Sequence, residues 1–183
     1  MMRRRILPTA LFVYLMSTLA GCLLTGALND KGGGTLTVKI RLTSEAQLQP
    51  RKLRLQSAAV KVTNASIDKD NWATYELAFD DVTKLSTTEH FQHTKITLAD
   101  GPDGTKQLTI RSTNPTPHQL NAEAIAYFGN QMTIAITLPG DIVKSNATST
   151  DKRTATWSYQ LRDFVAAKES TLEVAFKAGA APG

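Results

Sequence analysis

Residues 35–42, TLTVKIRL, put Leu36, Val38, Ile40 and Leu42 on one side and Thr35, Thr37, Lys39 and Arg41 on the other. Successive side chains of a strand point to opposite faces, so this strict period of two predicts a half-buried strand. The same alternation returns downstream. Ala73, Tyr75, Leu77 and Phe79 share a face in WATYELAF (72–79), and Met132, Ile134, Ile136 and Leu138 do so at 132–138. Ala155, Trp157, Tyr159 and Leu161 alternate in TATWSYQL (154–161), and Leu172, Val174 and Phe176 make a last strand. Residues 53–67 alternate in part and meet 72–79 across Asp68-Lys69-Asp70-Asn71, a polar turn that predicts a hairpin. Residues 95–99 and 107–112 are joined by DGPDG, the turn chemistry of a second hairpin.

Helical signals are few and short. Thr43 or Ser44 can cap a piece that Pro50 is expected to stop within two turns, and Ser86 and Glu89 have the capping-box spacing. Residues 119–128 carry Leu120, Ala124, Ile125, Tyr127 and Phe128 at helical spacing up to Gly129. Together these signals predict an α+β fold, a mainly antiparallel β-sheet with two or three short helices packed on it. It occupies one domain at 35–177, followed by a disordered tail at 178–183.

The chain ahead of this domain reads differently. Arg3, Arg4 and Arg5 precede an apolar run that ends in Leu19-Ala20-Gly21-Cys22, the layout of a secretion signal over 1–21 and too short to span a bilayer. Gly32-Gly33-Gly34 then suggests a flexible tether over 22–34. Loss of the leader takes the formal charge from +5 to +2, which removes the support for a nucleic-acid partner. Cys22 is the one cysteine of the 183 residues, so the sequence offers no disulfide.

Leu19-Ala20-Gly21-Cys22 resembles the lipobox of bacterial lipoproteins. The resemblance implies recognition of Leu19, Ala20 and Gly21 by the signal peptidase, lipidation of Cys22 and a membrane anchor of acyl chains. Leu23, rather than Asp, after the cysteine implies the periplasmic face of the outer membrane where the host has two membranes. The stretch QMTIAITLPGDIVKSNATSTDKRTATWSYQ (131–160) resembles the LppM-like domain of bacterial lipoproteins through Leu138-Pro139-Gly140, Ser145-Asn146 and Thr154-x-Thr156-Trp157. WATYELAFDDVTKL (72–85) is similar to that family as well. This resemblance implies a non-catalytic envelope domain tied to a lipid or glycolipid.

Chemical motifs are sparse. Glu89-His90-Phe91-Gln92-His93 lacks the His-Glu-x-x-His spacing of a metalloprotease, and Asp68–Asn71 lacks the Gly and the distal Glu of a calcium loop. No nucleotide loop or nucleophile elbow occurs. Asp80-Asp81 reads as a solvated turn, because neighbouring strand residues face opposite sides. No catalytic residue, metal or cofactor is therefore expected. Arg51-Lys52-Leu53-Arg54 suits either anionic headgroups or a solvated strand edge. Two functions stay open: a lipid or glycolipid ligand in a cleft presenting Tyr127 and Trp157, and assembly with another envelope protein.

Overall fold

The alternating stretch becomes β2 (Gly34–Arg41), with Val38 fully buried and Thr35 exposed, in a computed structural model that describes residues 21–178. β2 lies antiparallel to β4 (Trp72–Phe79), and β4 pairs with β3 (Val60–Ile67) across the expected hairpin. The Asp68 carboxylate accepts the backbone N–H groups of Asp70 and Trp72, both at 2.9 Å, which closes the turn locally.

On its other side β2 pairs with β1 (Gly21–Leu28), which runs parallel to β7 (Gln131–Thr137). With β10 (Thr154–Gln160) and β9 (Ser149–Asp151), these strands form a seven-stranded sheet in the order β3-β4-β2-β1-β7-β10-β9. A second sheet of four strands, β5 (Thr94–Asp100), β6 (Thr105–Thr113), β11 (Glu169–Lys177) and β8 (Ile142–Ser145), has the order β5-β6-β11-β8. One apolar core joins them. Val38, Tyr75, Leu77 and Trp157 enter it from the large sheet and Leu108, Leu172, Val174 and Phe176 from the small one. Each such side chain contributes about 1.5–3 kcal/mol by leaving water.

Three short helices, α1 (Leu48–Arg54), α2 (Ala122–Phe128) and α3 (Leu161–Ala166), complete the α+β fold. α2 and α3 lie at the end of the large sheet where β1 starts, because β10 finishes there and β7 begins there, whereas α1 belongs to the crossover from the end of β2 to β3, which starts at the opposite end. Asn121 caps α2 by accepting the N–H of Ala124, and Gly129 ends it at a φ of 89°.

Several sequence expectations need correction. Residues 22–34 are not a free tether, since 21–28 form an interior strand paired on both sides. Pro50 does not stop a helix but sits in the first turn of α1, where its missing N–H would have had no partner. The cluster at 51–54 is therefore helical and not a strand edge. Ser86 caps nothing: Asp81 caps the 3-10 segment Val82–Thr87 and Thr88 caps Glu89–Phe91. The polar stretch after Gly140 contains β8 and β9, and the expected single sheet is two. Residues 1–20 and 179–183, which hold most of the expected leader and tail, lie outside the described residues.

Leu138-Pro139-Gly140 carries the chain from the large sheet to the small one, and there the backbone of Gly140 lies against β11. A Cβ at this position would overlap the carbonyl oxygen of Lys177. Gly140→Ala is therefore expected to destabilise the fold by about 1–3 kcal/mol, as overpacking against rigid backbone does. Urea denaturation of the variant beside the wild type measures it.

Candidate functional site

The inner faces of the two sheets do not close on each other along their whole length. Leu24, Gly26 and Leu28 share one face of β1, in register with Val38 and Leu36 on β2 and with Ile134 and Ile136 on β7. Gly26 has no side chain to offer the interface, so the row Leu36–Gly26–Ile136 is thin at its centre. Opposite it stand Ile96, Leu108, Ile110 and Leu172 of the small sheet. Between these walls lies a cavity of about 380 Å³. That is a volume typical of small-molecule sites.

Its chemistry is graded from end to end. The walls just named, with Phe79, Val82 and Leu85, are apolar and largely buried. Apart from Thr35, the polar lining residues His90, His93, Thr94, Ser112, Thr113, Asn114 and Ser170 gather at one end. Cross-strand register explains the grouping, because Thr94 pairs with Ser112 and Ser112 with Ser170. His93 and Thr113 are exposed, which places the mouth here. Asn114 fixes the rim to α3 by donating its side-chain N–H to the Val165 carbonyl at 2.7 Å. An apolar interior supplies no partners to hold ordered water, so the cavity suits a hydrocarbon guest with a polar end at the rim.

Cys22 stands beside this mouth. It pairs with Met132, a lining residue, and packs against the core cluster. Burial pushes its thiol pKa up, with Arg51 acting in the opposite direction. Gly21 is the first residue of β1, whereas Leu19 and Ala20 lie outside the described residues.

The aromatic pair expected at a cleft is not at this one. Trp157 is buried in the core, and its indole N–H donates to the Asn146 side-chain oxygen at 2.8 Å. The same oxygen accepts the Glu173 backbone N–H at 2.8 Å, while the Asn146 amide donates to the Thr171 carbonyl. Asn146 thus ties β10 to β11, which gives the Ser145-Asn146 and Trp157 motif residues a structural role. Tyr127, half-buried on α2, donates its hydroxyl to the Leu42 carbonyl and lies under the Arg41 guanidinium, 4.5 Å from its ring centroid. Neither aromatic lines the cavity.

The histidine segment contributes His90 and His93 to the lining at the rim. Glu89 pairs with Arg54 at 2.7 Å, His90 packs edge-on against Phe91, and among the described residues no three metal-ligating side chains converge. Desolvation first, then Arg51 and Arg54, push the His90 imidazole down to about 4 from an ordinary value of 6.5. Unfolding restores the higher affinity for protons, so His90 stabilises the fold above pH ~6.5 and that contribution drains away as the pH falls toward ~4. His90 is nonetheless exposed to solvent, which makes the effect smaller than for an enclosed imidazole. His90→Gln is expected to flatten the loss of Tm over this interval, as thermal melts at stepped pH would show.

A family model for the LppM domain matches residues 24–173. The NMR structure of the folded domain of LppM from Mycobacterium tuberculosis is similar, with a TM-score of 0.54 and 10% identity over 90% of this chain and 92% of that one. No curated protein matches the chain at a significant level.

Proposed function

The chain belongs to the LppM domain family of lipoprotein-type domains, and from that premise we propose that it is a non-catalytic, lipid-anchored envelope protein that holds a lipid or glycolipid between its sheets. The cavity carries this reading: about 380 Å³ with apolar walls and a polar mouth fits an amphiphile better than a soluble metabolite. Acyl chains bury in the apolar body, each CH₂ contributing about 0.8 kcal/mol, while the head group stays at the His93, Thr113 and Asn114 rim. No step of bond making or breaking is assigned to the site. Cys22 is the site of lipidation in this reading. Because Cys22 is the second residue of β1, an anchor there holds the cavity mouth close to the bilayer surface with no slack chain between.

The test is photocrosslinking with a phospholipid that carries a diazirine on its acyl chain, fed to cells producing the protein. The expected adducts fall on lining peptides, 108–113 and 131–136 above all. Adducts scattered over the outer faces of the sheets would overturn the reading. One observation favours the alternative of an assembly partner: Val143, 57% exposed, lies on β8, an edge strand of the small sheet. That alternative predicts protein crosslinks at residues 142–145 and no lipid adduct.

A further inference from the structure

We propose that α1 docks the domain on the surface of an anionic bilayer, with Leu53 entering the headgroup region and Lys52 and Arg54, one on either side of it, meeting lipid phosphates. The inference rests on the anchored-envelope reading above and adds which face of the domain meets the membrane.

Three observations carry it. Leu53 is 67% exposed, one of only two strongly exposed large apolar side chains among the described residues, and it is flanked by Lys52 and Arg54. An outward leucine between two cations is the side-chain pattern of a segment that meets a membrane interface, apolar contact and attraction to anionic lipid acting together. Second, α1 has three cations and no acid, and among the described residues Arg51 and Lys52 have no carboxylate within ion-pair reach. Arg51 and Arg54, with Gln47 and Pro50, line a shallow depression of about 220 Å³.

Position supplies the third. Tyr75 donates its hydroxyl to the Leu48 carbonyl at 3.2 Å, which holds α1 against the large sheet. Tyr75 is in register with Val38, and Val38 with Leu24 of β1, so the first turn of α1 is level with Leu24, two residues along the strand from Cys22. The Arg54–Glu89 pair then links α1 to the segment bearing His90 and Phe91 at the cavity. Arg51 acts on both Cys22 and His90, so the inner side of α1 lies near the anchor residue and the cavity mouth. Docking through α1 turns that mouth toward the bilayer, giving a lipid a path between membrane and cavity that avoids water.

Hydrogen exchange tests this on the protein as cells process it, reconstituted into vesicles of phosphatidylcholine alone or of phosphatidylcholine with phosphatidylglycerol. A cation near an anionic surface raises the docked population about fivefold, so the amides of 51–55 are expected to slow by at least about that factor on the phosphatidylglycerol vesicles only. High salt removes the slowing in the unaltered protein. Lys52→Gln with Arg54→Gln removes it too, by about 25-fold in the docked ratio. Leu53→Ser weakens it with the charges intact, whereas Val143→Ser leaves it unchanged. Equal exchange of 51–55 on both vesicles overturns the proposal, even where lipid adducts map to the cavity. Slowing of 51–55 without such adducts keeps the docking face and removes the ligand reading.

Discussion

Trp157→Ala is expected to lower the unfolding free energy by about 3–5 kcal/mol, the usual loss for a fully buried large aromatic. In a chain of this size that corresponds to a fall in Tm of roughly 6–20 °C. Two terms add. The indole leaves a void between β10 and the small sheet, and the Asn146 oxygen loses one of its two donors, keeping only the Glu173 N–H. Thermal and denaturant melts of the variant check the size of the effect. Trp157→Phe separates structure from binding: it keeps most of the packing and is expected to retain lipid at the wild-type level, since Trp157 does not line the cavity. Loss of lipid from a well-folded Trp157→Phe protein would restore the aromatic as a ligand contact.

Gly26→Phe is expected to have the opposite profile, with stability kept and binding lost. Gly26 lies in a strand, and a Cβ there meets the Thr35 carbonyl oxygen at 3.4 Å and a Leu36 methyl at 3.5 Å, both ordinary contacts. Its register with Leu36 and Ile136 aims the new ring at the space between the sheets. The ring fills apolar volume and replaces a glycine that weakens strands by about 0.5–1 kcal/mol, so the melting temperature should hold or rise. The guest loses its place. Retained lipid should fall at least ~tenfold, equivalent to only about 1.4 kcal/mol of lost affinity. Gly26→Ala, which adds one methyl group, should bind nearly as the wild type does.

Much of the fold was legible because its strands are half-buried. TLTVKIRL, WATYELAF and the segment before Leu138 each bury one face and wet the other, so period two survives in the sequence. β1 carries no such signal. Cys22, Leu23 and Leu24 are all half-buried, since the strand is paired on both sides and lies in mid-sheet, and Gly26 and the following glycines mimic a linker. α1 was hidden by Pro50, which reads as a stop and serves as a first-turn residue.

The site was less legible than the fold. Its lining runs from Leu24 to Leu172, drawn from strands that meet only after both sheets form, so no local spacing could reveal it. The aromatic residues misled because size and polarity suggest a platform equally well for a buried Trp157 held by Asn146. The useful signal was a glycine in an otherwise apolar row, which marks missing volume and becomes interpretable once its neighbours are known. Leu138-Pro139-Gly140 and Ser145-Asn146 are explained by folding constraints, the sheet crossover and the Asn146 tie, and not by ligand chemistry.

Native mass spectrometry of the whole protein, purified gently from the cells that produce it and compared with Gly26→Phe, tests the central claim most directly. Acyl groups joined to Cys22 would persist after denaturation, whereas a guest of the cavity would be lost. The wild type is expected to show additional mass that dissociates as a lipid or glycolipid, and Gly26→Phe to lack that mass alone. A wild type with no dissociable mass, or equal lipid on both proteins, would contradict a lipid site between the sheets.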